Sequence, residues 1–306
     1  MLPACLKMLR PQQWTKNVFI LLPILFGGVW EFRSGREIFW LSGCAFAAFC
    51  AWSSAVYVIN DVLDRKADAL HPRKKTRPIA SGKIQVPMAL GIAFLLAVLP
   101  AVGLILWQQT GPEWMPKSFF WVPVLGGFYV TNTIIYCVFL KKCVLLDVFS
   151  IALGFIFRVL SGCAALGLVP SSWILVCTFS LALYLGFGKR RMEVACLTHE
   201  SDFRKVLTLY PVEYLNFLLG VSGGVCLISY LLYTLDPGTL KLHQTQALIL
   251  SVPFVFYGIF RYAQDAMQGK FDGPDEVLLH DRAFLLNGIL WSLCVSAILL
   301  GRGLGW

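Results

Sequence analysis

Nine apolar runs, most of them long enough to cross a lipid bilayer as a helix, dominate this 306-residue chain. A membrane-spanning helix needs about 20 predominantly apolar residues. The runs are bounded by charges, prolines or glycines, and they cover residues 17–33, 38–59, 86–107, 119–140, 144–166, 172–188, 214–235, 245–262 and 283–302. The sequence therefore predicts an all-α, multispanning membrane protein with nine transmembrane helices, folded as a single domain over residues 1–306.

The composition argues against the other broad classes of protein. Hydrophobic residues make up 58% of the chain and charged residues 14%, whereas about a quarter of the residues are charged in an average soluble domain. Disordered chains are poor in hydrophobic residues, and disulfide-stapled secreted modules are much shorter. The ten cysteines lie mostly within the apolar runs, with no C-x-x-C pair, so we expect them to pack as small apolar side chains.

Positive charges are distributed unequally between the two sides of the predicted spans. Most of the 26 Lys and Arg residues fall on the side that holds the N-terminus. Because cytoplasmic loops retain Lys and Arg, this bias places the N-terminus in the cytoplasm and the C-terminus outside, with the protein integral to the cytoplasmic membrane. Arg158 lies inside a span, where a charged side chain requires a partner or a polar cavity.

The second apolar run continues into an acidic segment, residues 60–68, with the pattern Asn-Asp-x-x-Asp-x-x-x-Asp. On a helix, Asp61, Asp64 and Asp68 share an arc of about 60°. Three carboxylates on one stripe near a membrane interface repel one another unless a cation binds them, and carboxylate oxygens are ligands that Mg²⁺ prefers. The segment therefore predicts a Mg²⁺ site at these three residues; the alternative is a solvated helix end.

A basic loop, residues 71–83, follows the acidic segment directly. It contains five cations, including Lys75 and Arg77, and its prolines prevent a continuous helix. Carboxylate-held Mg²⁺ beside Lys and Arg is the chemistry of a diphosphate site, because the metal bridges phosphoryl oxygens and Arg binds them with its fork of donors. The membrane spans and the adjacent acids disfavour the rival interpretation, a nucleic-acid-binding patch.

The acidic segment and the basic loop, in a chain with nine predicted spans, resemble the UbiA superfamily of intramembrane transferases. The resemblance covers the chain essentially from end to end. It implies an all-helical enzyme whose spans surround a central cavity open to the cytoplasm and to lipid, with a Mg²⁺-bound diphosphate on Asp-rich segments. On that basis Asp61, Asp64 and Asp68 are the expected catalytic residues, and Asn60 is expected to bind substrate beside them.

One departure from most of the superfamily indicates a particular branch. Most prenyltransferases of the superfamily carry a second segment, Asp-x-x-x-Asp, after the sixth span, whereas this chain has Lys-Arg-Arg-Met-Glu at residues 189–193. This pattern resembles the decaprenyl-phosphate phosphoribosyltransferase branch, and segments 10–17 and 141–147, the latter leading to the fifth span, fit it as well. The resemblance adds the following substrate-binding candidates: Lys16, Asn17, Lys75, Arg77, Lys141, Asp147, Arg158, Lys189, Arg190 and Glu193.

The branch resemblance implies transfer of a 5-phosphoribosyl group from phosphoribosyl pyrophosphate to a membrane polyprenyl phosphate, with release of pyrophosphate. Physical chemistry agrees, because these substrates carry more phosphate groups than a prenyl diphosphate and a phenol, and binding them requires more cations. The alternatives are a prenyltransferase acting on an aromatic precursor in quinone biosynthesis, and a transporter. A transporter is disfavoured because the acidic segment has no internal repeat.

Several candidates also have a plain structural interpretation. Lys189 and Glu193 are four residues apart, the spacing of an ordinary pair on a helix surface. Arg158 can instead hold neighbouring helices together. Asp281, just before the last run, is a weaker site candidate that can cap the following helix or pair with Arg282.

Overall fold

The computed structural model describes residues 2–70, 74–195, 209–271 and 273–301. None of these described residues lies in a β-strand. In chain order, the helices α1 to α12 are Leu2–Leu9, Leu22–Phe26, Gly35–Leu70, Val86–Thr110, Trp121–Val138, Leu146–Leu166, Ser172–Ala195, Val212–Leu235, Pro237–His243, Val252–Gln268, Pro274–His280 and Arg282–Leu300. Short 3-10 helices lie between them at Pro11–Leu21, Val29–Glu31, Lys74–Thr76, Lys117–Phe120, Leu140–Lys142 and Ala247–Ser251.

Eight segments of the described chain are long and apolar enough to cross a membrane, and each contains one of the predicted runs or most of it. The prediction of an all-α membrane protein is therefore confirmed. The count of nine is not confirmed, because the first predicted run, 17–33, is not among the eight. It is broken into the 3-10 helix Pro11–Leu21 and the five-residue α2, since Pro23 stands in the first turn of α2 and Gly28 follows its end with φ 62°.

Helix α3 extends well beyond the apolar part of its sequence. The predicted run ends at residue 59, but the helix continues to Leu70 and includes the whole acidic segment. A helix of 36 residues is about 54 Å long, whereas the hydrocarbon core of a bilayer is about 30 Å thick. The acidic segment is therefore a helical extension at one end of a span, which confirms the helical geometry assumed for its three carboxylates.

The chain divides into two compact units, one comprising Met1–Lys141 and Leu153–Pro170 and the other Lys142–Ala152 and Ser171–Trp306. A single domain over residues 1–306 remains a prediction.

The core of the first unit forms around α3. Trp52 on α3 is buried, and its indole Nε1 donates a hydrogen bond to the carbonyl of Ala97 on α4 at 3.0 Å. Gly126 on α5 permits this packing, because a Cβ there would come within 2.2 Å of the Trp52 ring. Gly162 on α6 lies equally close to the 3-10 helix, where a Cβ would come within 2.1 Å of the Ile20 carbonyl oxygen. These glycines allow the elements of the first unit to approach one another closely.

The core of the second unit is built largely from α7, α8 and α10. Buried tyrosines connect α7 to α10: the Tyr184 hydroxyl donates to the carbonyl of Ile259, and the Tyr262 hydroxyl donates to the carbonyl of Leu185 at 2.9 Å. Both hydroxyls are therefore hydrogen-bonded although the rings are buried. The surrounding apolar residues include Val148, Phe187, Met192, Leu215 and Leu219.

Several spans present apolar faces outward. Helices α12 and α4 are little covered by the rest of the protein: only 11% of the apolar stretch of α12 is buried, and 17% of that of α4. Both helices expose large apolar side chains, among them Phe94, Leu99, Leu286 and Leu293. Such helices suit a lipid environment for two reasons: their exposed side chains are apolar, and their backbone hydrogen bonds are satisfied within the helix.

Candidate active site

The three carboxylates of the acidic segment differ in burial. Asp61 and Asp68 are 3% and 4% exposed, whereas the side chain of Asp64 is 34% exposed. Asn60 is partly buried beside them. The acidic segment therefore consists of a buried pair, Asp61 and Asp68, and a third carboxylate that remains in contact with solvent.

Two arginines of the first unit bind this buried pair. Arg10 Nη2 donates to Asp61 Oδ1 at 2.6 Å. Arg77 Nη1 bridges the two carboxylates, at 3.2 Å from Asp61 Oδ1 and 2.6 Å from Asp68 Oδ2. The structure thus brings Arg77 to the acidic segment, as the sequence predicts, and adds Arg10, whose partner the sequence did not reveal.

The predicted lysines differ from each other in position. Lys141 Nζ lies 2.7 Å from Asp64 Oδ1, so this predicted lysine contacts the acidic segment. Lys75 is exposed in the 3-10 helix Lys74–Thr76. Residues 71–73 of the basic loop lie outside the described residues.

The carboxylates supply the ligand type that Mg²⁺ prefers without forming a complete cage. Within the described part of the chain, no group of three or more His, Cys, Asp or Glu side chains could hold a metal ion. Mg²⁺ is usually bound by one or two carboxylates together with substrate phosphates and water. Hydrogen bonds among the described residues engage Oδ1 of Asp61 and Oδ2 of Asp68, which leaves one oxygen of each for a ligand. This donor set fits Mg²⁺ shared with a phosphate group.

The N-terminal segment lies beside the same helix. Gln13 Oε1 accepts hydrogen bonds from the Tyr57 hydroxyl at 3.0 Å and from Lys16 Nζ at 2.7 Å. Tyr57 precedes Asp61 by four residues, one helical turn, so the two share a face of α3. The predicted residue Lys16 is therefore held one turn from the acidic segment. Sequence reasoning missed Tyr57, although its spacing of four residues from Asp61 could have indicated it.

Arg158 is enclosed within the first unit. Its guanidinium donates to Asn17 Oδ1 at 2.8 Å, to the Tyr129 hydroxyl at 3.1 Å and to the Gly154 carbonyl at 2.8 Å. Arg158 is 6% exposed and Asn17 fully buried. The guanidinium also lies over the Tyr129 ring, 4.5 Å from its centroid, which further stabilises the charge. These contacts favour a structural role for Arg158 and Asn17; the expected substrate contacts of both remain predictions.

A second charged cluster lies in the second unit and joins three predicted residues. Arg190 Nε donates to Asp147 Oδ2 at 2.8 Å, and Arg190 Nη1 donates to Glu193 Oε2. Asp147 is fully buried and Arg190 is 2% exposed. Two carboxylates therefore share one guanidinium. The positive charge of Arg190 is offset by the negative charges of Asp147 and Glu193.

Tyr210, which sequence reasoning missed, holds Asp147 from another side. Its hydroxyl donates to Asp147 Oδ1 at 2.8 Å and accepts from the Leu145 N–H at 2.6 Å. Burial raises the pKa of Tyr210, so the hydroxyl keeps its proton and remains a donor. Leu145 has φ 68°, a conformation rare for a non-glycine residue. No local pattern links Tyr210 to Asp147, because the contact depends on tertiary packing.

Lys189 is the partly buried neighbour of this cluster. Its alkyl chain lies near Gly273, where a Cβ would come within 3.6 Å of Lys189 Cδ. The predicted substrate contact of Lys189 remains a prediction.

Asp281 has the capping role that its position suggested. Its Oδ1 accepts from the N–H of Phe284 in the first turn of α12 at 2.9 Å. Its ion-pair partners among the described residues are Arg261 on α10, with Nη2 at 2.7 Å from Asp281 Oδ2, and Lys270, with Nζ at 3.9 Å, rather than the adjacent Arg282. Burial alone would raise the pKa of Asp281, but the hydrogen bonds from Phe284, Arg261 and the neighbouring carboxyl Asp265 outweigh it and lower the pKa to about 2.

Comparison with known proteins identifies the family. The model of the UbiA prenyltransferase family matches residues 20–206. The chain belongs to this family. The prediction from the acidic segment and the basic loop is thereby confirmed.

Relatives within the UbiA family match almost the whole chain. The decaprenyl-phosphate phosphoribosyltransferase of Corynebacterium glutamicum is 33% identical over 297 residues, covering 95% of this chain and 85% of the relative. The enzyme of the same name from Mycolicibacterium smegmatis is 30% identical over 301 residues, covering 95% and 91%. The resemblance to the phosphoribosyltransferase branch is thus confirmed at the level of sequence similarity.

Solved structures confirm the UbiA fold. A UbiA homolog from Archaeoglobus fulgidus bound to DMAPP and Mg²⁺ matches with a TM-score of 0.68 at 17% identity, covering 96% of this chain and 98% of that one. The same kind of protein bound to GPP and Mg²⁺ matches with a TM-score of 0.66 at 17% identity, covering 97% and 99%. This UbiA-family chain is therefore an all-α integral membrane protein.

Proposed function

We propose that this UbiA-family protein transfers the 5-phosphoribosyl group of phosphoribosyl pyrophosphate to a membrane polyprenyl phosphate, releasing pyrophosphate in a Mg²⁺-dependent reaction. The observation that carries the proposal is its similarity, over 95% of the chain, to phosphoribosyltransferases of the family at 33% and 30% identity. The basic segment at residues 189–193, in place of a second pair of aspartates, supports the same branch.

The acidic segment and its cations form the donor site in this proposal. Asp61 and Asp68, with Asp64 at the solvent-exposed edge, hold the metal, and Arg77 binds the diphosphate with its fork of donors. The predicted neighbours Asn60, Lys16, Lys75 and Lys141 add hydrogen bonds and positive charge around the donor. Bound Mg²⁺ supplies charge stabilisation to the departing pyrophosphate.

Three residues of the charged cluster in the second unit are proposed substrate contacts as well. Lys189 and Arg190 are proposed to bind phosphate groups, and Glu193 to bind the ribosyl hydroxyls. Asp147 holds the Arg190 guanidinium in a fixed orientation, because a buried arginine that is bound by two carboxylates has little rotamer freedom. Arg158 and Asn17 support the site from within the membrane.

No general base is required for this transfer. A phosphate monoester has a second pKa of about 6, so the acceptor is already an anionic nucleophile near neutral pH. The side chains need only orient the acceptor oxygen against the ribosyl carbon and stabilise the charge on the leaving pyrophosphate. A one-step displacement inverts the anomeric carbon.

Prenyl transfer to an aromatic acceptor is the second candidate. The A. fulgidus homologs that share the fold are bound to DMAPP and GPP. A prenyl diphosphate and phosphoribosyl pyrophosphate both carry a diphosphate, so the cations beside the acidic segment suit either donor. The basic segment at residues 189–193, in place of a second pair of aspartates, favours the phosphoribosyl donor.

A transfer assay tests the function directly. Purified protein, Mg²⁺, labelled phosphoribosyl pyrophosphate and a polyprenyl phosphate should give label that is extractable into lipid, and Asp61→Asn should not. Polyprenol, which lacks the anion, should accept almost no label. Transfer from a prenyl diphosphate to a phenol, without transfer from phosphoribosyl pyrophosphate, would overturn the proposal in favour of the second candidate.

The sidedness of the protein is part of the proposal. The excess of Lys and Arg on the side of the N-terminus supports a cytoplasmic N-terminus and donor site, with the C-terminus outside. Inside-out membrane vesicles should then use added phosphoribosyl pyrophosphate at once, whereas sealed right-side-out vesicles should not. The opposite result would reverse the orientation.

A further inference from the structure

The Arg77 guanidinium bridges the two buried carboxylates of the acidic segment, and the Arg10 guanidinium contacts one of them, Asp61. Arg77 Nη1 contacts both Asp61 and Asp68, at 3.2 and 2.6 Å, and Arg10 Nη2 contacts the same Asp61 oxygen at 2.6 Å. Two negative and two positive charges balance within this cluster. The charge of Asp61 is therefore already compensated by arginine at Oδ1 before any ligand is bound.

A metal ion that approached this cluster alone would meet two guanidinium groups on the oxygen of Asp61. Repulsion between like charges is strong in a partly buried site, where water screens it poorly. A metal ion that arrives with a diphosphate brings a net negative charge, and phosphate oxygens match the arginine fork as well as a carboxylate does. The diphosphate can therefore take over both arginines from the aspartates.

We propose that Arg10 and Arg77 exchange partners when the donor binds, releasing Asp61 and Asp68 and binding the donor's diphosphate. Arg10 thereby becomes a substrate-binding residue of the site. This inference rests on the proposed function, since it requires a donor that carries a diphosphate. It follows that bare divalent cation binds weakly, and that cation and diphosphate bind together.

The environments of the two arginines suit such an exchange. Their side chains are 18% and 25% exposed, so they can move, whereas Arg190 is 2% exposed and fixed between two carboxylates. Arg10 also has φ 51° and ψ 60°, in the left-handed region. A non-glycine residue rarely adopts this conformation, and such backbone strain clusters at binding sites.

Binding measurements without turnover test the exchange on detergent-solubilised full-length protein. Binding of Mn²⁺, a substitute for Mg²⁺, is measured from the loss of the free-ion EPR signal. Binding of ³²P-pyrophosphate is measured by equilibrium dialysis at saturating Mn²⁺. Pyrophosphate itself binds Mn²⁺, so a sample without protein is the control. Beyond that control, pyrophosphate should lower the Kd of the unmodified protein for Mn²⁺ by about tenfold or more.

Charge-removing variants should separate the two affinities. Arg77→Gln and Arg10→Gln should each tighten the binding of bare Mn²⁺ several-fold, because repulsion is removed, and weaken pyrophosphate binding by about tenfold, because a charge-assisted hydrogen bond is lost. Arg77→Lys should leave Mn²⁺ binding unchanged and weaken pyrophosphate binding less. Lys66→Gln, which removes a charge from an exposed position of α3, should change neither.

The outcomes distinguish this inference from the function on which it rests. Weaker or unchanged Mn²⁺ binding in both Gln variants would overturn the exchange, as would bare Mn²⁺ binding to the unmodified protein as tightly as with pyrophosphate. Should a Gln variant fail to fold, the unmodified protein and Arg77→Lys still decide the question. If a prenyl diphosphate but not phosphoribosyl pyrophosphate displaces the bound pyrophosphate, the proposed donor is wrong while the exchange stands.

Discussion

Arg190 and Asp147 form a buried ion pair, with Nε at 2.8 Å from Oδ2 and side-chain exposures of 2% and 0%. Removing one partner of such a pair leaves an uncompensated charge in a poorly solvated environment, which costs more than the pair itself contributes. Arg190 therefore has a structural role in addition to its proposed contact with substrate.

The first prediction concerns this pair. Arg190→Gln should destabilise the protein by about 3–5 kcal/mol, because Asp147 loses its counter-charge. The double variant Asp147→Asn/Arg190→Gln should be less destabilised than the sum of the single changes, by about 1–3 kcal/mol. Unfolding in detergent measures both. Arg191→Gln is the matched control, since Arg191 is partly exposed and contacts the neutral Asn216; additive effects would contradict the coupling.

The second prediction compares two carboxylates of the acidic segment. Asp61→Asn should lower kcat/KM for the donor by about 10²–10³-fold, because a buried metal ligand stabilises the transition state by several kcal/mol. Asp64→Asn should cost about tenfold, since Asp64 is 34% exposed and its charge is partly screened by solvent. Kinetics on variants that elute as folded protein provide the measurement. Equal losses would mean that burial does not distinguish their roles.

The third prediction isolates the contacts of Arg158. Tyr129→Phe removes the hydroxyl that accepts from Arg158 at 3.1 Å and should lower stability by about 1–3 kcal/mol, because a buried charged donor loses its partner. The KM for the donor should stay nearly unchanged. Tyr257→Phe, at a position 48% exposed, should change stability by less than about 0.5 kcal/mol. A large rise in KM for Tyr129→Phe would instead favour a substrate contact near Arg158.

The fourth prediction concerns acid stability. The pKa of Asp281 is about 2 in the folded protein, below the value of about 3.9 for an unfolded chain. Its stabilising effect is thus complete above pH 4 and is lost as the pH falls toward 2. Asp281→Asn keeps an acceptor for the cap but loses the charge, so its thermal midpoint should lie below that of the unmodified protein from pH 8 to 5. The difference should shrink below pH 4; a change between pH 5 and 8 would instead point to Asp265, the carboxyl that shares a hydrogen bond with Asp281.

The fifth prediction follows from a transfer without a general base. Activity should rise as the acceptor phosphate loses its second proton, near pH 6, and then stay level to about pH 8. Transfer to a phenol, whose pKa is about 10, should keep rising with pH over the same range. A pH–rate profile at saturating Mg²⁺ separates the two. A second rising limb would reopen the search for a base among Glu193, Asp147 and Asp281.

Much of this fold and of the site followed from local sequence patterns. A long apolar run can satisfy its backbone in lipid only as a helix, so eight of the nine runs could be assigned from sequence. The acidic segment had a helical spacing, and the structure shows it on the extension of α3 that ends at Leu70. The first run was the exception, because Pro23 and Gly28 interrupt it. A hydropathy scale scores how apolar the side chains are, and it does not include the backbone conformations that Pro and Gly impose.

The choice of ionic partners was decided only by the tertiary structure. Arg10 lies 51 residues before Asp61, and Tyr210 lies 63 residues after Asp147, yet each pair is in direct contact. The sequence by itself determined that acids and cations would gather at the ends of the spans. Which cation meets which acid depends on how the helices of each unit pack, and Coulomb attraction alone does not distinguish one arginine from another. Helix packing therefore buried Arg190 between two carboxylates and left Arg10 and Arg77 partly exposed at Asp61.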